Sequence, residues 1–368
     1  MTVAEVRRGP ATGPRTLDPE GVAAVDRVLA DRVEAHASGL LDAGEELAPV
    51  VESLRAMASG GKRLRAAFCL WGARAITGGH DTVGAVEAAA ALEMFHLAAL
   101  VHDDLMDHSD ERRGRPTVHR VFAERHRAAG GLGAADAHGV AVAVLAGDLC
   151  LTWSDDLLAE AVSVGRPGAA PAARAVWTRM RDQVLAGQYL DLLGDTRPQV
   201  STAYVGRVLR HKSAGYTVEH PLRLGAALAG ADDERAERLS RFGRRVGEAF
   251  QLRDDVLGVV GDPEVTGKPA VDDVREGKRT LLVAVAQERA DRTQRATLGR
   301  HLGDPHLDAA GLAAVRGVLV STGALDHVEE RIAALAASAH DDLAGLPLDG
   351  RTRAALGALT DACAWRAA

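Results

Sequence analysis

Three features of the 368-residue chain predict an all-α fold. Hydrophobic residues make up 47% of it but aromatics only 3%. The interior must therefore be built from Ala, Leu and Val, which suits helix packing better than sheets of aromatic and β-branched strands. Apolar positions recur at helical spacing from about Pro19 onward, and strand-like alternation is scarce. The same texture resumes after every glycine- or proline-rich break, so these breaks read as connections between helices. The expectation is one all-α domain over residues 19–368, a bundle of ten or more helices around a deep central cavity, behind a flexible segment at 1–18.

Each element follows in order. The N-terminus, MTVAEVRRGPATGPRTLDP, lacks the apolar core of a secretory signal. Leu29, Val33 and His36 begin a first helical stripe. Gly60 and Gly61 precede another helix, and Ala88 to Val101 is apolar on nearly every side, which places it centrally. Breaks fall near residue 79, at 128–139 and at 164–171, a further helix covers 247–257, and short Ala/Leu-rich helices follow Asp304. No uninterrupted apolar run approaches the ~20 residues of a membrane span. Cys69, Cys150 and Cys363 are too scattered for a disulfide framework or a zinc site. A cytoplasmic protein without a membrane span is expected, and the net charge of −7 argues against a nucleic-acid partner.

The chemistry is carried by charge. In HDDLMDHSDERRGRP, residues 102–116, Asp103 and Asp107 are four apart on one helix face with Asp104 beside them. Such carboxylates repel one another unless a hard cation intervenes, and Mg²⁺ takes one or two carboxylates with phosphate oxygens and water. A second group, Asp254 and Asp255 with Asp262 further on, again follows an apolar helix face. Two such helices facing each other would hold several Mg²⁺ ions. Bases accompany the acids: Lys62 and Arg65 after the glycine pair, Arg112 and Arg113, Lys212, Lys268 and Lys278. Glycines ahead of a helix favour an anion there. Metal-bridged oxygens on one side and guanidinium forks on the other suit a diphosphate. The apolar helix leading into the first cluster suits a hydrocarbon tail.

With these residues in place the chain resembles the trans-isoprenyl diphosphate synthases. The resemblance runs from about Gly60 to Thr280 through GGKRLR, HDDLMDHSDERRGRPT, the Gly-Asp pair at 147–148, GQYLD at 187–191, HKSAGYT at 211–217 and FQLRDDVLGVVGDPEVTGKPAVDDVREGKRT. It implies an all-α bundle, a homodimer, and three Mg²⁺ ions on Asp103, Asp107 and Asp254, with Asp104, Asp191, Asp255 and Asp262 as further or outer ligands. It places the allylic diphosphate on Arg112, Lys212 and Lys268. Isopentenyl diphosphate falls on Lys62, Arg65, His96 and Arg113, with Lys278 at the cavity mouth. Gln188 joins the substrate-binding set, and Gln251 and the backbone of Lys212 or Ser213 face the developing cation.

Ala66 stands where the family often has proline, and Gly258 where a third aspartate is frequent. The resemblance also makes the residues just before Asp103 the cavity floor. Ala98 and Ala99 are too small to stop a growing tail, whereas Phe95 lies about 12 Å up the helix and could close the next layer. A C20 product, geranylgeranyl diphosphate, is therefore expected, with farnesyl or longer products as alternatives. A class I terpene cyclase is a rival, but cyclases line their cavities with aromatics and lack the GGKRLR site. A non-catalytic partner subunit would have lost motif aspartates or lysines, and none is lost here. A helical scaffold would leave the acid and base clusters unexplained.

Overall fold

The computed structural model describes residues 17–112, 114–261 and 272–366, apart from the side chain of Asp272. Arg113, Asp262 and Lys268, all expected at the site, lie outside the described residues, as does most of the segment 1–18. The all-α expectation is met: the described chain is helical apart from its connections and one two-residue strand pair. Contacts divide it into two compact units, described separately below.

The first unit comprises Pro14–Ala173 with Leu224–Ala231. It contains helices α1 (Pro19–Ala43), α2 (Ala48–Ala58), α3 (Leu64–Thr77) and α4 (Ala85–Met106). An antiparallel ribbon, β1 (Glu111–Arg112) with β2 (Arg115–Pro116), leads to α5 (Val118–Ala128) and α6 (Ala135–Val164). Its centre is α4, which packs on α6, α3 and α1. Ala88–Ala91, Leu92, Met94, Phe95, Leu97, Ala98 and Val101 are all buried. The alanine run lets neighbouring helices approach closely, and each larger apolar side chain contributes about 1.5–3 kcal/mol on burial. Leu29 and Val33 of the expected stripe are buried on α1, and His36 stacks on Trp153 of α6 with ring centroids 4.6 Å apart. Asp18 is buried too. It caps α1 through the Gly21 N–H at 3.1 Å and pairs with Arg74 at 2.6 Å.

The expectation that no segment is long and apolar enough to span a membrane needs correction. By length and composition, α4 with 22 residues and α6 with 30 both are. A helix of this length keeps its apolar character despite an occasional Glu93 or His96, which interrupt a run of apolar residues. About 67% of the apolar window of α4 is buried inside the protein, against 28% for α6.

The second unit comprises Arg174–Arg223 and the chain from Asp232 onward. Helix α7 (Ala170–Asp195) enters it and α9 (His220–Leu228) leaves it, with α8 (Thr202–Val208) and an 11-residue π-helical stretch, Leu209–Glu219, between them. The long α10 (Asp233–Val260) follows. After it come α11 (Asp272–Arg275), α12 (Leu281–Arg289), α13 (Arg292–His301), α14 (Ala309–Ser321), α15 (Ala324–Ala344) and α16 (Gly350–Trp365). Asp232 caps α10 by accepting from the Arg235 N–H at 2.8 Å. Helix α10 packs on the π-helical stretch, α15 and α16, around Leu252, Val256, Leu282, Val285, Val328 and Ile332.

Candidate active site

The first carboxylate group stands at the C-terminal end of α4. Asp103 and Asp104 are in its last turn, and Asp107 caps it, donating its N–H to the Asp103 carbonyl at 2.8 Å. This is the negative end of the helix dipole, where a carboxylate is disfavoured. Arg112, on β1, supplies positive charge. Its Nε and Nη2 reach Asp104 Oδ1 at 2.7 and 2.6 Å, and Nη2 is 3.6 Å from Asp103 Oδ2. Burial opposes the guanidinium charge, but Asp104, Asp103 and Asp107 outweigh it and raise the arginine's pKa. Asp104 is buried and holds the arginine, while Asp103 and Asp107 remain half-buried. The Gly-Asp pair acquires a role here. A Cβ on Gly147 would run into the His102 ring, and Asp148 lies 3.8 Å from His102 Nε2.

The glycine-rich loop is in the same unit. Gly60 and Gly61 have φ of 79° and 91°, and Arg63 follows at 53°. This left-handed turn leads straight into α3. Lys62 is exposed and Arg65 half-buried, at the positive end of that helix, where an anion is favoured. Arg63 turns inward and is buried. On α4, His96 and Ala99 are half-buried, whereas Phe95 and Ala98 are buried.

The second carboxylate group belongs to the other unit. Asp191, on α7, accepts from Lys212 Nζ of the π-helical stretch at 2.5 Å. The helices approach this closely because Gly187 faces the stretch, where a Cβ would run into the Lys212 backbone. On α10, Gln251 donates to Asp255 Oδ1 at 2.9 Å, so its amide serves the carboxylate. Asp254 accepts from Arg366 Nη2 at 2.6 Å, and that guanidinium lies 4.0 Å from the centre of the Phe250 ring. Lys278 is 3.2 Å from Asp273 and 2.9 Å from Glu276. Ser213 and Gln188 are half-buried.

Three residues here were not anticipated. Asp273 occupies the space a side chain at position 258 would need, which explains why glycine stands there. Asp195, one turn after Asp191, has its carboxyl pushed up to about 6, by burial first and by Asp191, against the pull of Lys212, Arg279 and Lys278. Arg366 comes from the chain's far end. The aspartate pair at 272–273 was a visible signal, but a lone C-terminal arginine carries none.

These residues fit a hard divalent cation. Asp255 is pushed up to about 8, mainly by burial, with Asp254 and Asp273 adding to the shift while Gln251 and Lys278 oppose it. Such a carboxylate lacks positive charge, and its donor atoms are the hard oxygens that Mg²⁺ takes. Among the described residues no three Asp, Glu, His or Cys side chains converge to hold a metal alone. Mg²⁺ does not require that, since water and phosphate oxygens complete its shell. The thiols of Cys69 and Cys150 are buried and pushed up to about 12, so neither serves as a nucleophile.

Comparison with known proteins converges on one family. Residues 48–316 match the polyprenyl synthetase family model. The chain is 34% identical to a geranylfarnesyl diphosphate synthase from Aeropyrum pernix, over 84% of this chain and 91% of that protein. It is 32% identical to a farnesyl diphosphate synthase from Geobacillus stearothermophilus, over 78% and 95% respectively. The geranylgeranyl pyrophosphate synthase of Corynebacterium glutamicum, solved with isoprenyl diphosphate and magnesium, superposes with a TM-score of 0.90 at 36% identity. That match covers 95% of this chain and 99% of that one. The fold, the ordered motifs and these likenesses agree, and the chain belongs to the polyprenyl synthetase family of trans-prenyltransferases.

Proposed function

We propose that the protein condenses isopentenyl diphosphate with allylic diphosphates, in a Mg²⁺-dependent reaction, to make all-trans geranylgeranyl diphosphate. One observation carries the reading: the accessible stripe of α4. From Asp107 and Asp103 at the charged end it runs back through half-buried Ala99 and His96, with Phe95 beneath. A charged head followed by small apolar residues and then an aromatic floor matches a diphosphate carrying a hydrocarbon tail. The relatives are named as farnesyl, geranylgeranyl and geranylfarnesyl diphosphate synthases, and the C20 product rests on Ala98, Ala99 and Phe95.

Asp103, Asp107 and Asp254 would hold three Mg²⁺ ions, with Asp104, Asp191, Asp255 and Asp262 supporting them. When bound, the metal stabilises negative charge on the leaving diphosphate. Arg112, Lys212 and Lys268 bind the same oxygens, so the allylic C–O bond breaks with its electron pair leaving on the diphosphate. Lys62, Arg65, His96 and Arg113 hold isopentenyl diphosphate, and Lys278 stands at the cavity mouth. Gln188 belongs to the substrate-binding set, and Gln251 and the backbone carbonyl of Lys212 or Ser213 face the allylic cation. Apolar walls exclude water, the double bond of isopentenyl diphosphate supplies the electrons of the new C–C bond, and the proton leaves on the departing diphosphate. A homodimer is the proposed assembly.

Purified protein incubated with Mg²⁺, labelled isopentenyl diphosphate and, separately, dimethylallyl, geranyl and farnesyl diphosphates should yield one linear C20 alcohol after dephosphorylation. A C15 or C25 alcohol would overturn the chain length alone. A cyclic hydrocarbon with no elongation would overturn the reaction. Phe95→Ala should lengthen the product by at least one C5 unit, read by chromatography of the same alcohols. An unchanged distribution would remove Phe95 from the floor.

A further inference from the structure

Two charged residues are buried on helix α4: Asp104 in its last turn, which Arg112 meets, and Glu93 in its apolar middle. Glu93 is 3% exposed, surrounded by Ala89, Ala90, Leu92, Met94 and Leu97. A carboxylate so placed is retained only if partners meet it, and removing one of them is costly. One partner ends the glycine-rich loop, Arg63 at the cap of α3, and the other, Ala66, lies in the first turn of that helix. The Ala66 N–H donates to Glu93 Oε1 at 3.1 Å, and Arg63 Nη1 lies 3.5 Å from Oε2.

These contacts have a specific geometry. Ala66 is the third residue of α3, so its N–H is among those that a helix start leaves without an internal acceptor. The residue at the cap, Arg63, provides no side-chain cap of its own. Glu93 therefore acts as the capping carboxylate for α3 from another helix, and its charge suits the positive end of the dipole. Arg63 is fixed on three sides: by Glu93, by Asp26 of α1 at 2.7 Å, and by the Ala58 carbonyl closing α2 at 2.5 Å. Its backbone holds a φ of 53°, a left-handed conformation that a residue with a side chain keeps only when its surroundings impose it. With Arg63 drawn inward, its neighbours Lys62 and Arg65 are left on the more accessible side.

We propose that Glu93 is the positioning residue of the isopentenyl diphosphate site: it sets where Lys62 and Arg65 stand along α4. The inference rests on the function proposed above. One rigid helix then carries the anchor of the basic loop at Glu93, His96 about 4.5 Å further along its axis, and the first aspartate about 15 Å from the anchor. The separation between the isopentenyl site and the allylic carboxylates is set by helix rise, not by the loop. Without the anchor, the loop keeps its cations but loses their register.

The test is Glu93→Gln, which keeps an acceptor for the Ala66 N–H but removes the charge facing Arg63. KM for isopentenyl diphosphate should rise about tenfold, while KM for the allylic substrate and kcat change less than threefold. Lys62→Ala is measured alongside and should also raise the isopentenyl KM. A rise with Lys62→Ala and none with Glu93→Gln overturns the positioning role and leaves the site assignment intact. No rise with either overturns the site assignment itself. Equal changes in both KM values, or a lowered Tm with neither changed, would mean that Glu93 only supports the fold. If Glu93→Gln does not accumulate as folded protein, Asp26→Asn replaces it, since this partner of Arg63 is about one-third exposed. An isopentenyl-selective rise of about threefold then supports the proposal, and a non-selective change overturns it.

Discussion

Asp103→Asn is expected to lower kcat by about 10³-fold while leaving stability unchanged or slightly improved. The loss follows from the proposed role: it removes a charged ligand for Mg²⁺ where the proposed reaction depends on electrostatic stabilisation of a leaving diphosphate. The stability effect follows from position. Asp103 lies in the last turn of α4, where the helix dipole disfavours a carboxylate by about 0.3–1 kcal/mol, with Asp104 and Asp107 adding repulsion. Arg112 offsets part of this, but its two short contacts are to Asp104, and it remains 3.6 Å from Asp103. Initial rates over a range of Mg²⁺ concentrations, with thermal unfolding of the same samples, separate the two effects. A residue that merely held the fold would lose activity and Tm together. A fall in Tm of several degrees with kcat retained would refute the metal-ligand role.

Arg253→Ala should give the largest loss of stability, about 3–5 kcal/mol, because it empties a fully buried site and leaves the half-buried Glu329 carboxylate without its partner. Arg253 is fully buried on α10. It makes two hydrogen bonds of 2.7 Å to the Glu329 carboxylate of α15, a third of 2.7 Å to the Ala364 carbonyl of α16, and lies 5.6 Å from the centre of the Trp365 ring. One side chain thus joins three helices, and its loss leaves a carboxylate facing an emptied volume. At about 2–4 °C per kcal/mol for a chain region of this size, Tm should fall by roughly 10 °C. Arg253→Met combined with Glu329→Leu should recover most of that loss, because well-packed apolar replacements of a buried pair are often neutral. A single variant within 2 °C of the parent would show that the bridge contributes little. The bridge also adjoins a proposed site residue. Asp254 holds Arg366, two residues beyond the carbonyl that Arg253 secures.

Much of the fold was legible because helices are specified locally. Apolar spacing placed α4 and α10, and the glycine- and proline-rich stretches mark the ends of α5 at Ala128 and α6 at Val164. The candidate metal ligands were legible for a similar reason. Carboxylates four residues apart at the end of an apolar helix form a local pattern, and Asp103 with Asp107 is where that pattern puts them. The exact run of α4 was underestimated, since scattered polar residues interrupt an apolar count without interrupting a helix.

What remained hidden depended on partners distant in sequence. Asp104 and Asp103 look alike in the sequence, yet one is buried on Arg112 and the other is not. Glu93 meets Ala66 from 27 residues away, Arg253 meets Glu329 from 76, and Arg366 meets Asp254 from 112. A charge buried in a helix reads locally as a break in an apolar stripe, because nothing nearby records which distant group will neutralise it. By itself, therefore, the sequence determined the helices, their apolar faces and the charges at their ends. Only the tertiary structure decided which of those charges reach solvent and which hold the fold, since burying a charge depends on a partner that packing alone delivers.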